Sequence, residues 1–163
     1  EWMSRALMTQ RRLNELESDV MWAPKFNIYS PHYFHEALNR EFTRSRNLDQ
    51  ELTVAMLQVE NYAGLNPETR DLVAQSVVVA LKRRLDSSSL LCSYDLEGVF
   101  AVVSPSMEKE VLNDRLKEVQ GELHEMAAIR TLKLEEKIAR YNPYLTFGSV
   151  ACSPEMESGA DLE

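Results

Sequence analysis

The chain is short of glycine, cysteine, positive charge and long apolar runs, and each shortage narrows what it can be. Five glycines in 163 residues supply no glycine-rich phosphate loop. The two cysteines, Cys92 and Cys152, sit inside apolar segments rather than in a spaced framework. They read as two buried thiols, not a disulfide or metal pair, in a reducing, cytoplasmic setting. No stretch approaches the roughly 18 to 20 apolar residues that span a bilayer, and no signal-peptide pattern opens the chain, so direct membrane contact from this segment is not expected. Lys and Arg number 18 against 26 Asp and Glu, a formal net charge of −8. That balance opposes a nucleic-acid surface, which needs clustered cations, but leaves room for a basic pocket that takes a small nucleotide. Three histidines complete the scarcities. His32 and His35 are three apart on one expected helix and His124 is far away; no cysteine or acid near them in sequence completes a metal set, so surface or capping roles are expected. No serine or cysteine nucleophile has a recognisable base.

What remains is an ordinary globular composition, 44% hydrophobic and 27% charged, at a length suited to one domain with a proper core. Both ends read as cut: "EWMSRALMTQ" opens in mid-helix and "SGADLE" closes the chain, as in a domain taken from a longer protein. In residues 1–22, Trp2, Ala6, Thr9, Leu13, Leu16 and Val20 fall on one heptad-type stripe. This predicts a linker or coiled-coil-like helix that could pair two chains; a single amphipathic helix packed on its own domain is the other reading.

"APKFNIYSP" then breaks the helix, with Pro24 and Pro31 restricting their predecessors. Ser30 as N-cap and Pro31 at the first helical position start a helix to about Leu48, with Phe34, Leu38 and Phe42 facing inward. "LTVAMLQVE", residues 52–60, is apolar on both alternating faces until Gln58, the mark of a central strand. Asn66-Pro67 restarts a helix to about Leu85 with Val73, Val77, Ala80 and Leu81 inward. "LLCSYD" and "GVFAVVS" form a hairpin through "DLEG". A long charged helix follows from about Met107, past Met126, with an undefined end in "TLKLEEKIARY", and "PYLTFGSVACS" closes as a strand. The order predicts an α/β (α+β) sandwich, a mainly antiparallel central sheet flanked by helices.

Several strings in that order resemble the GGDEF domain of bacterial diguanylate cyclases, over residues 23–163. "PHYFHEALNREFTRSRN" is similar to that family's first helix, with its Tyr-Phe pair. "LTVAMLQVENYAGLN" is similar to its first strand and turn, where the family shows Asp-x-Asp, an aromatic, and an Asn four residues after the aromatic. "SYDLEGVFAVVSP" occupies the place of the signature hairpin, "LTFGSVACS" that of the last strand, and "GADLE" the start of a terminal helix that is otherwise missing. The resemblance implies the nucleotidyl-cyclase-like sandwich, and a signalling helix before it.

The family condenses two GTP into cyclic di-GMP, and the resemblance places its magnesium on the first Asp of the strand motif and on the third letter of GGDEF. Here the strand position is Gln58, a neutral amide that supplies no charge to hold a cation, with Glu60 two residues on along the same face. The family's two glycines let backbone N–H groups approach the triphosphate; Asp95 and Leu96 stand in one alignment, with Glu97 at the metal-binding letter and Gly98 after it. In the other, "LEGVF" matches letter for letter and puts Gly98 at the acid position. Asn66 matches the guanine-contacting Asn but is followed by Pro67, and an Asn before Pro is more often a turn residue and helix cap. The family's inhibitory Arg-x-x-Asp is displaced: Arg83 and Asp86 carry the pattern three residues early, and Lys82, Arg83 and Arg84 are also explained by the helix dipole.

The expectation is a catalytically inactive GGDEF-like regulatory or interaction domain of a larger cytoplasmic signalling protein. It has no catalytic residues, metal or cofactor of its own, and its partners are the neighbouring sensor or output domains. The alternatives are a non-catalytic receptor for cyclic di-GMP or GTP, for example in exopolysaccharide control, and a structural dimerisation module working through the N-terminal helix.

Overall fold

In the computed structural model, residues 21–23, 25–133, 144–152, Met156 and Gly159 are described. The heptad-type stripe of residues 1–20, most of "TLKLEEKIARY" and nearly all of "GADLE" lie outside them. Among these residues, six strands form one sheet in the order β1-β2-β4-β5-β3-β6, made of β1 (Trp22–Ala23), β2 (Ile28–Tyr29), β3 (Leu52–Val59), β4 (Leu90–Ser93), β5 (Val99–Pro105) and β6 (Leu145–Ala151). All neighbours are antiparallel except β2 and β4, which run parallel with Tyr29 opposite Cys92. The expected mainly antiparallel α+β sandwich is the observed fold.

Among the described residues, three helices cover the sheet: α1 (Pro31–Leu48), α2 (Pro67–Arg84) and α3 (Lys109–Lys133). Local chemistry sets their limits. The Tyr33 N–H donates to Ser30 Oγ at 3.2 Å, and the Thr69 N–H to Asn66 Oδ1 at 2.9 Å. Each side-chain cap is followed by a proline whose missing N–H costs nothing in a first turn. α1 stops where Asp49 turns left-handed, with φ of 51°.

β3 is covered on both faces, as its unbroken apolar run requires. Its odd-numbered residues Ala55, Leu57 and Val59 join Phe100 and Val102 in a core closed by α2 and α3, through residues such as Val77 and Leu116. Its even-numbered Leu52 and Val54 join Ala101 and Val103 in a second core closed by Phe34, Leu38 and Phe42 of α1. The inward positions expected on α2 are all buried.

One expectation is corrected. "APKFNIYSP" is not simply a breaker: Trp22–Ala23 and Ile28–Tyr29 pair across a turn and extend the sheet. Two residues per strand give no periodicity to read, and only the sheet edge and the aromatic side chains hold them extended. A short 3-10 turn, Tyr62–Gly64, between β3 and α2 was likewise invisible to pattern reading.

Candidate functional site

The residues singled out from the sequence cluster at one end of the sheet, where β3 finishes between the β4–β5 turn and the start of β6. Gln58 lies opposite Val99 on one side and Thr146 on the other. Just beyond, the Val59 N–H donates to the Gly98 carbonyl and the Glu60 N–H to the Tyr144 carbonyl, both at 2.9 Å. Backbone pairing thus fixes the turn to the end of β3, whatever its side chains are.

The turn itself is tightly closed. The Tyr94 N–H donates to the Val99 carbonyl and the Val99 N–H to the Leu96 carbonyl, each at 3.1 Å. Gly98 has φ of +79°, the region where a Cβ is disfavoured. A Cβ there would also lie 2.5 Å from Tyr62 Cγ. Gly98 is therefore explained by backbone geometry and by the ring beneath it, whichever signature letter it aligns with.

Each candidate acid has its own protein partner. Glu97, with its side chain 79% exposed, pairs with Arg70 Nη1 at 3.3 Å. Asp95 faces α1 instead, with His35 Nε2 at 3.6 Å. Folding brings the turn against α1, a pairing that sequence distance hides; one His–Asp pair does not make a metal set. Glu60 is not a freely solvated strand end either: half-buried, it accepts from Thr146 Oγ1 at 3.0 Å. Gln58 is exposed beside it, and Thr146 Oγ1 also reaches the Gln58 carbonyl at 3.4 Å. Thr146 thus bridges the backbone of Gln58 and the side chain of Glu60. Among the described residues, no group of three or more His, Cys, Asp and Glu side chains is placed to hold a metal ion.

Arg70, which sequence reasoning passed over, is the organiser of this end. It sits one turn into α2, its own N–H bonded to the Asn66 carbonyl at 2.9 Å. Its Nε donates to the Leu65 carbonyl at 2.9 Å and its Nη2 to the Ala63 carbonyl. With Nη1 on Glu97, one guanidinium ties the β3–α2 connection to the hairpin turn. The five fixed donors of arginine suit this role. The same guanidinium carbon lies 6.0 Å from the centre of the Tyr62 ring, and burial holds the Tyr62 hydroxyl above its ordinary pKa. The signal in the sequence was only an arginine four residues after the capping Asn66, a spacing with many explanations.

Asn66 does what its cap reading requires, its side-chain oxygen being taken by the Thr69 N–H. Arg83 and Asp86 lie elsewhere, against α3. Arg83 pairs with Glu122 at 3.1 Å, Arg84 with Glu118 at 2.9 Å and Glu122 at 3.3 Å, and Asp86 with Arg115 at 2.6 Å. These partners on α3 add to the dipole explanation. Both cysteines are free thiols; Cys92 is fully buried, which pushes its thiol up to about 12 and makes it inert, while Cys152 is half-buried. Among the described residues no helix is long and apolar enough to cross a membrane.

No protein-family profile and no curated protein sequence matches the chain. Solved structures do. The coiled coil and GGDEF domain of DgcB from Caulobacter crescentus, solved in complex with c-di-GMP, is similar over 98% of this chain and 83% of that one, with TM-score 0.82 and 18% identity. The GGDEF domain of FimX from Pseudomonas aeruginosa is similar over 87% of this chain and 86% of that one, with TM-score 0.71 and 12% identity. The diguanylate cyclase SiaD of Pseudomonas aeruginosa, solved with its activator SiaC, matches over 93% of this chain and 57% of that one, with TM-score 0.69 and 18% identity.

Proposed function

We propose that this chain, which has the fold of GGDEF domains, is a GGDEF-like regulatory or interaction module of a larger signalling protein and makes no cyclic di-GMP itself. The observation that carries this reading is the Arg70 bridge. A cation held at Glu97 would have to displace a guanidinium that also anchors two backbone carbonyls. Phosphoryl transfer on a magnesium-bound triphosphate needs carboxylates free to hold the ion and a bare backbone near the phosphates. At this sheet end the strand position offers the neutral amide of Gln58, and the turn offers the side chains of Asp95 and Leu96. Asp95 would add negative charge where phosphates would approach, which opposes their binding.

The competing reading is a receptor that binds cyclic di-GMP without turnover, since DgcB was solved with that ligand. In this chain the displaced Arg83 and Asp86 are each engaged by α3, and a ligand there would compete with Glu122 and Arg115. This favours the interaction module, with neighbouring sensor or output domains as its partners.

Incubation with GTP and magnesium, followed by chromatographic detection of cyclic dinucleotide, tests the proposal. Unchanged GTP is the expected result; product formed by the purified chain would refute it. Calorimetric titration with cyclic di-GMP separates the two non-catalytic readings, and a saturable isotherm would replace the interaction module with the receptor.

A further inference from the structure

Leu96 and Tyr144 belong to neither core. They are the two most exposed large apolar side chains among the described residues, at 65% and 60%. Both stand at the sheet end where β3 finishes. The Gly98 carbonyl accepts the Val59 N–H on one side of that strand, and the Tyr144 carbonyl accepts the Glu60 N–H on the other. The turn and the start of β6 therefore flank β3 at one strand spacing each, about 10 Å from one another.

Turn geometry does not call for Leu96 either. The positive φ of the turn belongs to Gly98, and a solvent-facing turn position ordinarily carries a polar residue. Its neighbours are drawn to opposite faces of the sheet, Asp95 toward His35 of α1 and Glu97 toward Arg70 of α2. Leu96 is left at the tip between them.

The charge that faces outward here is negative. The Asp95 and Glu97 carboxylates are largely exposed, and Glu60 ends the strand that separates Leu96 from Tyr144. The Arg70 guanidinium is turned inward, with two of its nitrogens on the Ala63 and Leu65 carbonyls. A phosphate group would meet Asp95 and Glu97 and be repelled. A second copy docking through a two-fold axis would set the same acids against themselves, on chains that each carry −8. A cationic partner gains from these charges and can cover both apolar side chains.

We propose that this sheet end is a docking surface for a cationic, apolar-centred segment of a partner domain. An apolar side chain of the partner packs between Leu96 and Tyr144, and Lys or Arg side chains on either side of it meet Asp95 and Glu97. The proposal rests on the interaction-module reading and names the surface and the chemistry of the partner. Small buried apolar anchors inside a charged rim carry most of the energy of such contacts. Asp95 and Glu97 keep their present partners, because a carboxylate accepts more than one donor.

The probe is the capped peptide Lys-Lys-Leu-Trp-Leu-Lys-Lys, titrated into the full 163-residue chain and followed by amide NMR. Saturable shifts are expected at the Leu96, Gly98, Glu60 and Tyr144 amides. Leu96→Ser and Tyr144→Ser, both at exposed positions outside the cores, each weaken binding about tenfold. Asp95→Asn combined with Glu97→Gln weakens it about fivefold and flattens its dependence on salt. A peptide with serines for its three central residues binds more weakly by about tenfold or more. Equal affinity of the serine peptide, or of the Leu96→Ser chain, would overturn the proposal, because plain charge attraction would then explain the binding. Shifts centred on Glu118 and Glu122 of α3, or no saturation at about millimolar peptide, would overturn it too. Self-association that broadens the same amides without peptide would assign the surface to a second copy and also overturn it. Cyclic dinucleotide formed from GTP would instead refute the non-catalytic reading, whereas failure of the peptide with GTP unchanged refutes the docking surface alone.

Discussion

Strands β4 and β5 and the five residues that join them obey different rules, although they are continuous in sequence. Within β5, Phe100, Ala101, Val102, Val103 and Ser104 are all buried; the first four alternate between the two cores, and Ser104 Oγ meets Ser89 Oγ at 2.9 Å. In the turn, Asp95, Leu96 and Glu97 are exposed, and Leu96 keeps 65% of its surface in water. The strands answer to packing, so their residue types are tightly restricted. The turn answers to packing at Tyr94 and Gly98, while its acids Asp95 and Glu97 are held at the surface by His35 and Arg70. A GGDEF-type fold can therefore persist intact while the end of its sheet changes role.

Three substitutions grade that contrast. The largest effect is expected from Phe100→Ala, which empties a position shared by β3, β5 and Phe26, whose ring lies edge-on at 6.5 Å. It should cost about 3–5 kcal/mol in chemical denaturation. Gly98→Ala comes next at about 2 kcal/mol, because it combines a left-handed backbone with a collision against Tyr62. Melting of both variants by circular dichroism ranks them, and a cost for Gly98→Ala below that of an ordinary exposed residue would mean the turn is free throughout. Glu97→Gln should change stability by less than about 0.5 kcal/mol, since its ion pair with Arg70 is largely in water. A loss as large as that of Phe100→Ala would erase the distinction between strand and turn.

The same division explains what could be read from the sequence. Long, periodic elements were legible: the doubly apolar run of β3, the capped starts of α1 and α2, and the hairpin around "DLEG" all stand where pattern and cap chemistry put them. The two-residue strands β1 and β2 were not, because extended conformation there depends on partners far along the chain, Cys92 among them. In the candidate site, Gln58, Glu60 and Glu97 were identifiable by position, and their gathering at one sheet end follows from strand order. Their partners were hidden, since Arg70 meets Glu97 across 27 residues and Thr146 meets Glu60 across 86. Those contacts exist only once the sheet has formed.

Calorimetric titration of magnesium-GTP into the purified chain probes the central claim most directly, because it asks whether the sheet end between Gln58 and the Asp95–Gly98 turn can grip a metal-loaded triphosphate at all. The account predicts no saturable heat up to roughly millimolar nucleotide, a binding free energy weaker than about −4 kcal/mol. A micromolar isotherm that depends on magnesium and vanishes in Glu97→Gln would contradict it.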